Sequence, residues 1–579
     1  MTASTRQISP QPASASGDTA PSQQNQVPPL SGYNLFLSDR TLVAAVEREG
    51  AGWAREQITG LGSFLGSEEA QRWGFDANEN KPVLHTHDRY GNRRDEVVFH
   101  PSWHNLMRTS VANRLHCLPW EQDTQSGTLG TGRPGAHVAR AALMMLTCQN
   151  EAGHTCPISM TFSAVAALRA EPELAAEWEP RIFSTAYDQR FAPAQEKSGV
   201  ILGMGMTEKQ GGSDVRANTT LAERIGSSRE YLITGHKWFV SAPMCDAFLI
   251  LAQAPKGLSC FLMPRWTPAG ERNGFHIQRL KDKLGNRSNA SAEVEFAQAW
   301  ARVVGEAGRG VHTIIEMVNH TRLDCAIAAA GLMRQGLVQA MHHASHRHAF
   351  GKLLIDQPLM RNVLADLAIE SEAATLLMVR LARSFDRRGS DARERAFCRI
   401  ATAIAKYWLC KRSPAHVGEA LECLGGNGYV EESIMPRLYR EAPLYSIWEG
   451  SGNVICLDVL RALTKDPATV EALLAEFEAT AGADKRLDSF VANIHQRLAR
   501  KDAGGSSDGY AVAEYCARDL TEKLALAIQA SLVVRYCSPA IADAFIASRL
   551  AGQHGQAFGT LPAGVDVDGI LDGLASLLA

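Results

Sequence analysis

The feature that most constrains the fold of this chain is a change of period. From Thr41 to about Phe183, and again from Gly308 onward, apolar residues recur at three- and four-residue spacing, the signature of helices packed on one face. Between Ser198 and Val304 they come instead in short alternating or wholly apolar runs separated by Gly, Asn, Ser and Pro. TLVAAVEREGAGWAREQI, NLMRTSVANRLHCL, HVARAALMMLTCQNEAG and ISMTFSAVAALRA carry the first pattern, and EYLITG, KWFVSA, AFLILAQA, LSCFLMPRW and AEVEFAQAWARV the second. The expected architecture is therefore α+β and multidomain: a helical N-terminal domain, a middle β-barrel-like domain and a C-terminal helical bundle.

Boundaries follow from the same reading. Residues 1–28 are rich in Ser, Gln, Pro and Ala and too poor in large apolar side chains to bury a core, so a disordered tail is expected there. The N-terminal helical domain is expected over 29–197, the β domain over 198–304 and the helical bundle over 305–460. Helical patterning continues in ATVEALLAEFEA, SFVANIHQRLARK and RDLTEKLALAIQASLVVRYC, which predicts an extra helical domain over 461–579. A chain of 579 residues is ample for about three to four such units.

No apolar run approaches the roughly 18 residues of a membrane span, and the first residues carry no apolar signal core. The expected compartment is the cytoplasm. The 12 cysteines are scattered singly without a CxxC pair, which points to reduced, buried thiols and away from a disulfide framework or a zinc site; no metal is expected.

Two motifs carry the chemistry. MTEKQGGSDV, Met206 to Val215, sets Gly211 and Gly212 between the hydroxyls of Thr207 and Ser213; glycines let a backbone approach a ligand closely, and hydroxyls bond to a polar ring edge. An ordinary loop would read the same way. SIWEGSGN, Ser446 to Asn453, sets Glu449 between bulky Ile447 and Trp448 and the small Gly450, Ser451 and Gly452. Such surroundings raise a carboxylate's pKa and leave room for a substrate. The alternative is an exposed acid near a helix start capped by Ser451 or Asn453.

In this order, and over about Asn34 to Leu460, the two motifs resemble those of the acyl-CoA dehydrogenase family, where they form two halves of a flavin site. The resemblance implies FAD as cofactor, held near Met206, Thr207, Gly212 and Ser213, with Lys209 and Gln210 replacing the family's usual Pro and Gly. It places Trp238, Phe239 and Ser241 of KWFVSA beside the flavin, although alternating core residues of a strand would look alike. RHAFG resembles the family's RxxFG motif, so Arg347, with Phe350 and Gln357, is expected to clamp the pyrophosphate of a neighbouring subunit's cofactor. ECLGGNG resembles the run against the adenine side, assigning Glu422, Gly425 and Gly426, with Glu422 where Gln is usual. Ser451 and Asn453 complete the cofactor set. Contacts across subunits imply a homotetramer, a dimer of dimers.

By the same resemblance Glu449 is the base that takes the α-proton of an acyl thioester, with Trp448 in the family's tyrosine position. Arg322 of NHTR stands at the CoA-thioester end of the pocket, and Asn319 replaces the usual Asp. MTEKQGGSDV, GHKWFVSAP, LKDKLGNRSNASAEVEF, CPISMTF and SIWEGSGN, with the long C-terminal extension, resemble the AidB branch. That branch implies FAD, binding of double-stranded DNA, protection against alkylation damage and weak isovaleryl-CoA dehydrogenase activity; the alternative is a working short branched-chain acyl-CoA dehydrogenase without a DNA role.

Charge offers DNA little support. The net charge is -3, and residues 461–579 hold 11 Lys and Arg against 15 Asp and Glu. Phosphate binding needs clustered cations. Arg497, Arg500 and Lys501 form the one local basic stripe singled out, and a solvated helix face reads identically.

Overall fold

The structure, a computed structural model, describes residues 25–121, 133–502 and 512–575. Helices α1 (Arg40–Arg48), α2 (Arg55–Leu65) and α3 (Glu68–Glu79) open the N-terminal part. Side-chain caps begin two of them: Asp39 accepts from the Leu42 amide at 2.9 Å, and Ser67 from the Ala70 amide at 3.3 Å.

Next comes an antiparallel hairpin of β1 (Val83–His87) and β2 (Arg93–Val98). This corrects the expectation of an unbroken helical segment from Thr41 to Phe183. Asp88 makes the turn, its carboxylate accepting the amides of Tyr90 and Asn92 at 2.8 and 2.9 Å. Helices α4 (Pro101–Ala112), α5 (Ala136–Asn150), α6 (Thr155–Leu168) and α7 (Pro172–Ile182) follow.

The tail expectation also needs trimming. Residues 1–24 lie outside the described residues, but Asn25 to Pro28 are docked: the Asn25 amide donates to the His348 carbonyl at 2.9 Å, and the Pro28 carbonyl meets the ring of His342 at 2.9 Å.

The middle sheet comprises β3 (Leu202–Gly205), β4 (Leu221–Arg224), β5 (Glu230–Ser241), β6 (Ala247–Ala254), β7 (Gly257–Pro264), β8 (Phe275–Leu280) and β9 (Ser291–Val304). Strands β6, β4, β5, β9 and β7 pair in a ring, since β7 also pairs with β6; β3 adds to β6 and β8 to β9. Closure leaves few free edges, and inward side chains such as Phe248, Phe261, Phe275 and Val294 fill the interior.

Helix α8 (Gly310–His346) crosses the centre of the molecule and is buried along most of its length. A small hairpin, β10 (His348–Ala349) and β11 (Lys352–Leu353), turns the chain into α9 (Pro358–Arg387) and α10 (Ala392–Cys423). Buried Arg140 of α5 donates to both carboxylate oxygens of Asp324 on α8 at 2.6 and 2.8 Å and to the Leu115 carbonyl. A buried charge is tolerated only when so fully paired.

Short helices α11 (Gly426–Tyr429) and α12 (Met435–Glu441) lead to α13 (Gly452–Lys465) and α14 (Pro467–Glu478). Then come α15 (Lys485–Asp502), α16 (Ala517–Tyr536), α17 (Pro539–Phe545) and α18 (Val567–Ala575). The segment after residue 461 packs directly on α9 and α10. Trp408 donates its indole N–H to Gln529 at 2.8 Å, Glu476 is shared by Arg380 and Arg535, and Arg549 reaches Asp366 and Glu370. Among the described residues no helix is long and apolar enough to cross a membrane. All 12 cysteines are free, and all but Cys516 and Cys537 are buried, as expected from their scattered spacing.

Candidate active site

Glu449 sits in the turn between a short 3-10 segment, Ala442–Ser446, and the start of α13. Its backbone is left-handed, φ 58°, and Gly450 follows at φ 103°. A non-glycine residue in this region costs about 1–3 kcal/mol and persists only where its surroundings enforce it.

Two cations enforce it here. Arg322 of α8 donates through Nε to the Glu449 carbonyl at 3.1 Å and through Nη1 to Asp458 of α13 at 2.8 Å. Buried Lys406 of α10 donates Nζ to the Gly450 carbonyl. Asp458 is shared with Arg399, also at 2.8 Å. Burial pushes its carboxyl up, but the two guanidinium groups outweigh that and hold it below the ordinary aspartate value. The turn is thus bolted to three helices.

The Glu449 carboxylate points the other way. Thr321, next to Arg322 on α8, donates its hydroxyl to Oε2 at 2.6 Å. Burial raises the Glu449 pKa above the ordinary glutamate value, with Thr321, Arg322 and Lys406 opposing. A raised carboxylate pKa is what a general base near neutral pH requires. The indole N–H of neighbouring Trp448 is buried without a hydrogen-bond partner.

The glycine-rich loop after β3 lies at the rim of the barrel. The Trp238 amide donates to the Thr207 carbonyl at 2.8 Å, which brings the loop against the end of β5. Beneath it, Glu208 and Lys237 form a fully buried ion pair at 2.8 Å, and Glu208 also accepts the amides of Thr219 and Thr220 at 2.6 and 3.2 Å. Gly211 has φ 122°, and a Cβ on Gly212 would stand 2.5 Å from the Thr207 hydroxyl, so both glycines are required by the turn itself. Met206, Thr207 and Trp238 are half-buried, while Gly212, Ser213 and Phe239 are exposed.

This rim fits a flavin. It combines the exposed Phe239 ring, the half-buried Met206 and Trp238, two hydroxyls with no hydrogen-bond partner among the described residues, and backbone that a ring can approach. Thr207 and Ser213 would hold the polar edge, with Trp238 and Phe239 against the ring. Lys281 lies over both aromatic faces, 3.9 Å from the Trp238 centroid and 4.5 Å from that of Phe239.

The rim and the Glu449 turn meet through Cys156 at the start of α6. Its thiol has Ser241 and Asn289 beside it and Glu449 within electrostatic reach; burial pushes it up to about 11. The other assigned residues stand elsewhere. Arg347 ends α8, donating to the Asn25 carbonyl, and Gln357 bonds the Ala349 carbonyl at 3.0 Å. Phe350, at the tip of the β10–β11 hairpin, is 98% exposed. Glu422, Gly425 and Gly426 lie exposed at the end of α10, with open space where a Cβ on either glycine would stand. Ser451 begins α13 without a side-chain cap bond, and Asn453 accepts from Arg518 of α16 at 2.9 Å; neither caps α13 through its side chain. Arg322 is buried and committed to Glu449 and Asp458, not a solvated helix residue. Asn319 lies one helical turn from it on α8 and is half-buried.

Thr321, Lys406, Asp458, Cys156 and Lys281 were given no role from the sequence, although Thr321 lies in NHTR, Cys156 opens CPISMTF and Lys281 lies in LKDKLGNRSNASAEVEF. Lys406 left a trace of its own, as a single cation in the apolar run AIAKYWLC. Of the basic stripe, Arg497 is paired with Asp519 and bonded to Asn493 at 2.9 Å; the side chains of Arg500 and Lys501 lie outside the described residues.

Fold and site together define an FAD-dependent oxidoreductase of the acyl-CoA dehydrogenase type, and the chain belongs to that family. Its middle domain matches over residues 203–299 and its C-terminal domain over 308–464. The branch is set by residues 25–189, which match the N-terminal domain of the adaptive response protein AidB. The chain is 47% identical over 522 residues to the acyl-CoA dehydrogenase-type protein AidB of Escherichia coli K12, covering 90% of this chain and 93% of that one. Acyl-CoA dehydrogenase family member 11 of Caenorhabditis elegans is 31% identical over 413 residues, 69% of this chain and 65% of that one. The solved structure of Caenorhabditis elegans ACDH-11 in complex with C11-CoA superposes with a TM-score of 0.81 at 25% identity, over 94% of this chain and 95% of that one. A glutaryl-CoA dehydrogenase from Mycobacterium smegmatis, solved with FADH2, shares the fold with a TM-score of 0.57 at 20% identity, over 73% and 98%.

Proposed function

We propose that this chain is an AidB-type flavoenzyme in which Glu449 removes the α-proton of a short branched acyl-CoA thioester, isovaleryl-CoA being the reference substrate. The observation that carries this reading is the Glu449 turn: a carboxylate of raised pKa on a backbone held by Arg322 at Glu449 and Lys406 at Gly450, with one oxygen that no described residue bonds. Bound FAD supplies the hydride acceptor for the β-carbon. The chain's own residues fix the base, place the rim hydroxyls of Thr207 and Ser213, and exclude water with Trp448 and Tyr445. Anaerobic addition of isovaleryl-CoA to the purified flavoprotein is expected to bleach the flavin, and Glu449→Gln to abolish bleaching while keeping FAD bound. Loss of FAD from that variant would make Glu449 a structural residue.

The cofactor site is proposed to be shared between copies. Arg322 and Arg347 lie about 25 residues and so about 37 Å apart along α8, farther than one dinucleotide reaches. Arg347, Phe350, Gln357, Glu422, Gly425 and Gly426 then serve a neighbouring subunit's FAD, which supports the homotetramer. Exposed Phe350, Leu359 and Tyr429 offer the apolar surface such a contact would cover.

A second role, binding double-stranded DNA and protecting it from alkylation, is supported by likeness to AidB through the C-terminal extension as well as the catalytic core. A salt series on undamaged duplex DNA tests it. A steep fall in affinity with salt is expected, and absence of binding at low salt would leave a dehydrogenase without a DNA role.

A further inference from the structure

Thr321 has one hydroxyl hydrogen and two acceptors. Its Oγ1 lies 2.6 Å from Glu449 Oε2 and 3.0 Å from the Val318 carbonyl, one turn back on α8. Among the described residues, Glu449 Oε1 receives no hydrogen bond from the protein, and that oxygen is not sealed off as a buried, unpartnered atom would be. The two oxygens of the carboxylate are therefore unlike: one is tied to a helix, the other free.

We infer that Thr321 is a positioning residue that reserves Oε2 and so makes Oε1 the atom that takes the proton, and that its second acceptor lets it serve both charge states of Glu449. The inference rests on the reading of Glu449 as the base. While Glu449 is ionised, the hydroxyl hydrogen points to Oε2, a short bond to a charged acceptor. As the substrate's α-carbon–hydrogen bond breaks, its electron pair stays on the substrate and becomes the new double bond as hydride leaves the β-carbon for the bound flavin. The proton forms a bond to Oε1. Oε2 then loses its negative charge, the Thr321 hydrogen bond weakens, and the hydroxyl can turn to the Val318 carbonyl at 3.0 Å. No heavy atom moves. A hydroxyl rotor next to a base thus stabilises the charged form before transfer and keeps its own hydrogen bonded afterwards, when Oε2 is a neutral and less demanding acceptor. The neighbouring clamps cannot do this, because Arg322 and Lys406 grip backbone carbonyls and not the carboxylate.

The test is the infrared titration of the carboxylic acid band in the FAD-loaded protein, assigned to Glu449 by its loss in Glu449→Gln. Thr321→Val removes the donor at nearly constant volume, and its midpoint should rise by about 1–2 pH units. Thr321→Ser restores the donor and should titrate as the wild type does. The rising limb of the pH profile for flavin bleaching by isovaleryl-CoA should move with the midpoint. An unchanged midpoint in Thr321→Val overturns the inference, and so does a raised midpoint that Thr321→Ser fails to restore, because packing alone would then explain it. Bleaching that survives Glu449→Gln would instead sink the assignment of the base while leaving the shifted midpoints in place.

Discussion

Arg322 reaches Asp458 at 2.8 Å with one arm of its guanidinium and the carbonyl of Glu449 at 3.1 Å with its Nε. One side chain therefore fixes both the helix that follows the Glu449 turn and the turn itself. Asn319, on the same helix, has no share in this clamp.

Removing it should be costly. Arg322→Ala strands the buried Asp458 with only Arg399 and the more exposed Arg461 and releases the strained Glu449 backbone. The expected loss is about 3–5 kcal/mol in chemical denaturation, with bleaching by acyl-CoA lost even where the fold survives. Arg322→Lys should rescue little, because an ammonium cannot serve both acceptors in the same fork. A variant of wild-type stability would refute the clamp.

Lys237 and Glu208 set the stability of the glycine-rich loop. Lys237→Met leaves the Glu208 carboxylate in the barrel wall without its cation, and about 3–5 kcal/mol should be lost. Lys237→Met with Glu208→Gln removes the stranded charge and should recover part of that stability. FAD content after gel filtration is the second readout, expected to fall in the single variant more than in the double.

How much of this was legible beforehand depended on the interaction. The barrel strands announced themselves because their inward and outward sides alternate, as in EYLITG, or because they are wholly apolar, as in AFLILAQA. The β1–β2 hairpin escaped because VLHTH and RRDEVV bury only Asp95 fully and carry only a faint apolar alternation. Glu449 stood out as an acid among bulky and small neighbours. Thr321, Lys406 and Asp458 did not, since each matters only through a partner distant in sequence, and spacing carries no such information. The Asn453 contact to Arg518 was hidden for the same reason.

Glu449 should itself weaken the fold at neutral pH. Its pKa is raised from an ordinary 4.5, so the folded state keeps a proton that the unfolded chain releases. Stability contributed by this group is therefore full below the ordinary value and falls as pH climbs toward the raised one. Glu449→Gln should melt above the wild type at pH 7 and level with it below about pH 4. A lower melting temperature at pH 7 would contradict the burial argument.

The C-terminal extension should not be separable. Leu473, Phe477, Leu524 and Ile528 are buried, and each contributes about 1.5–3 kcal/mol on burial. A chain ending at Lys465 would expose the faces of α9 and α10 that these residues cover, and aggregation or a greatly lowered melting temperature is expected. Unfolding of the truncated protein at the wild-type temperature would show an independent module.

Arg497 should prove silent in DNA binding, since its guanidinium is engaged by Asp519 on α16. The expected result for Arg497→Ala is an unchanged salt slope and affinity on duplex DNA. A slope lowered by about one would place a phosphate on Arg497 after all.

The left-handed backbone at Glu449 bears on how such proteins diverge. Few side chains accept φ 58° readily, and glycine accepts it without strain. On the proposed reading, proton abstraction demands a glutamate where the backbone by itself favours glycine. A lineage released from that demand has an easy exit: one substitution to glycine would relax the turn, leave the neighbouring clamps intact and remove the proposed base. Across descendants of this scaffold, glycine at this one position is the expected mark of a protein that kept its cofactor pocket and changed its trade.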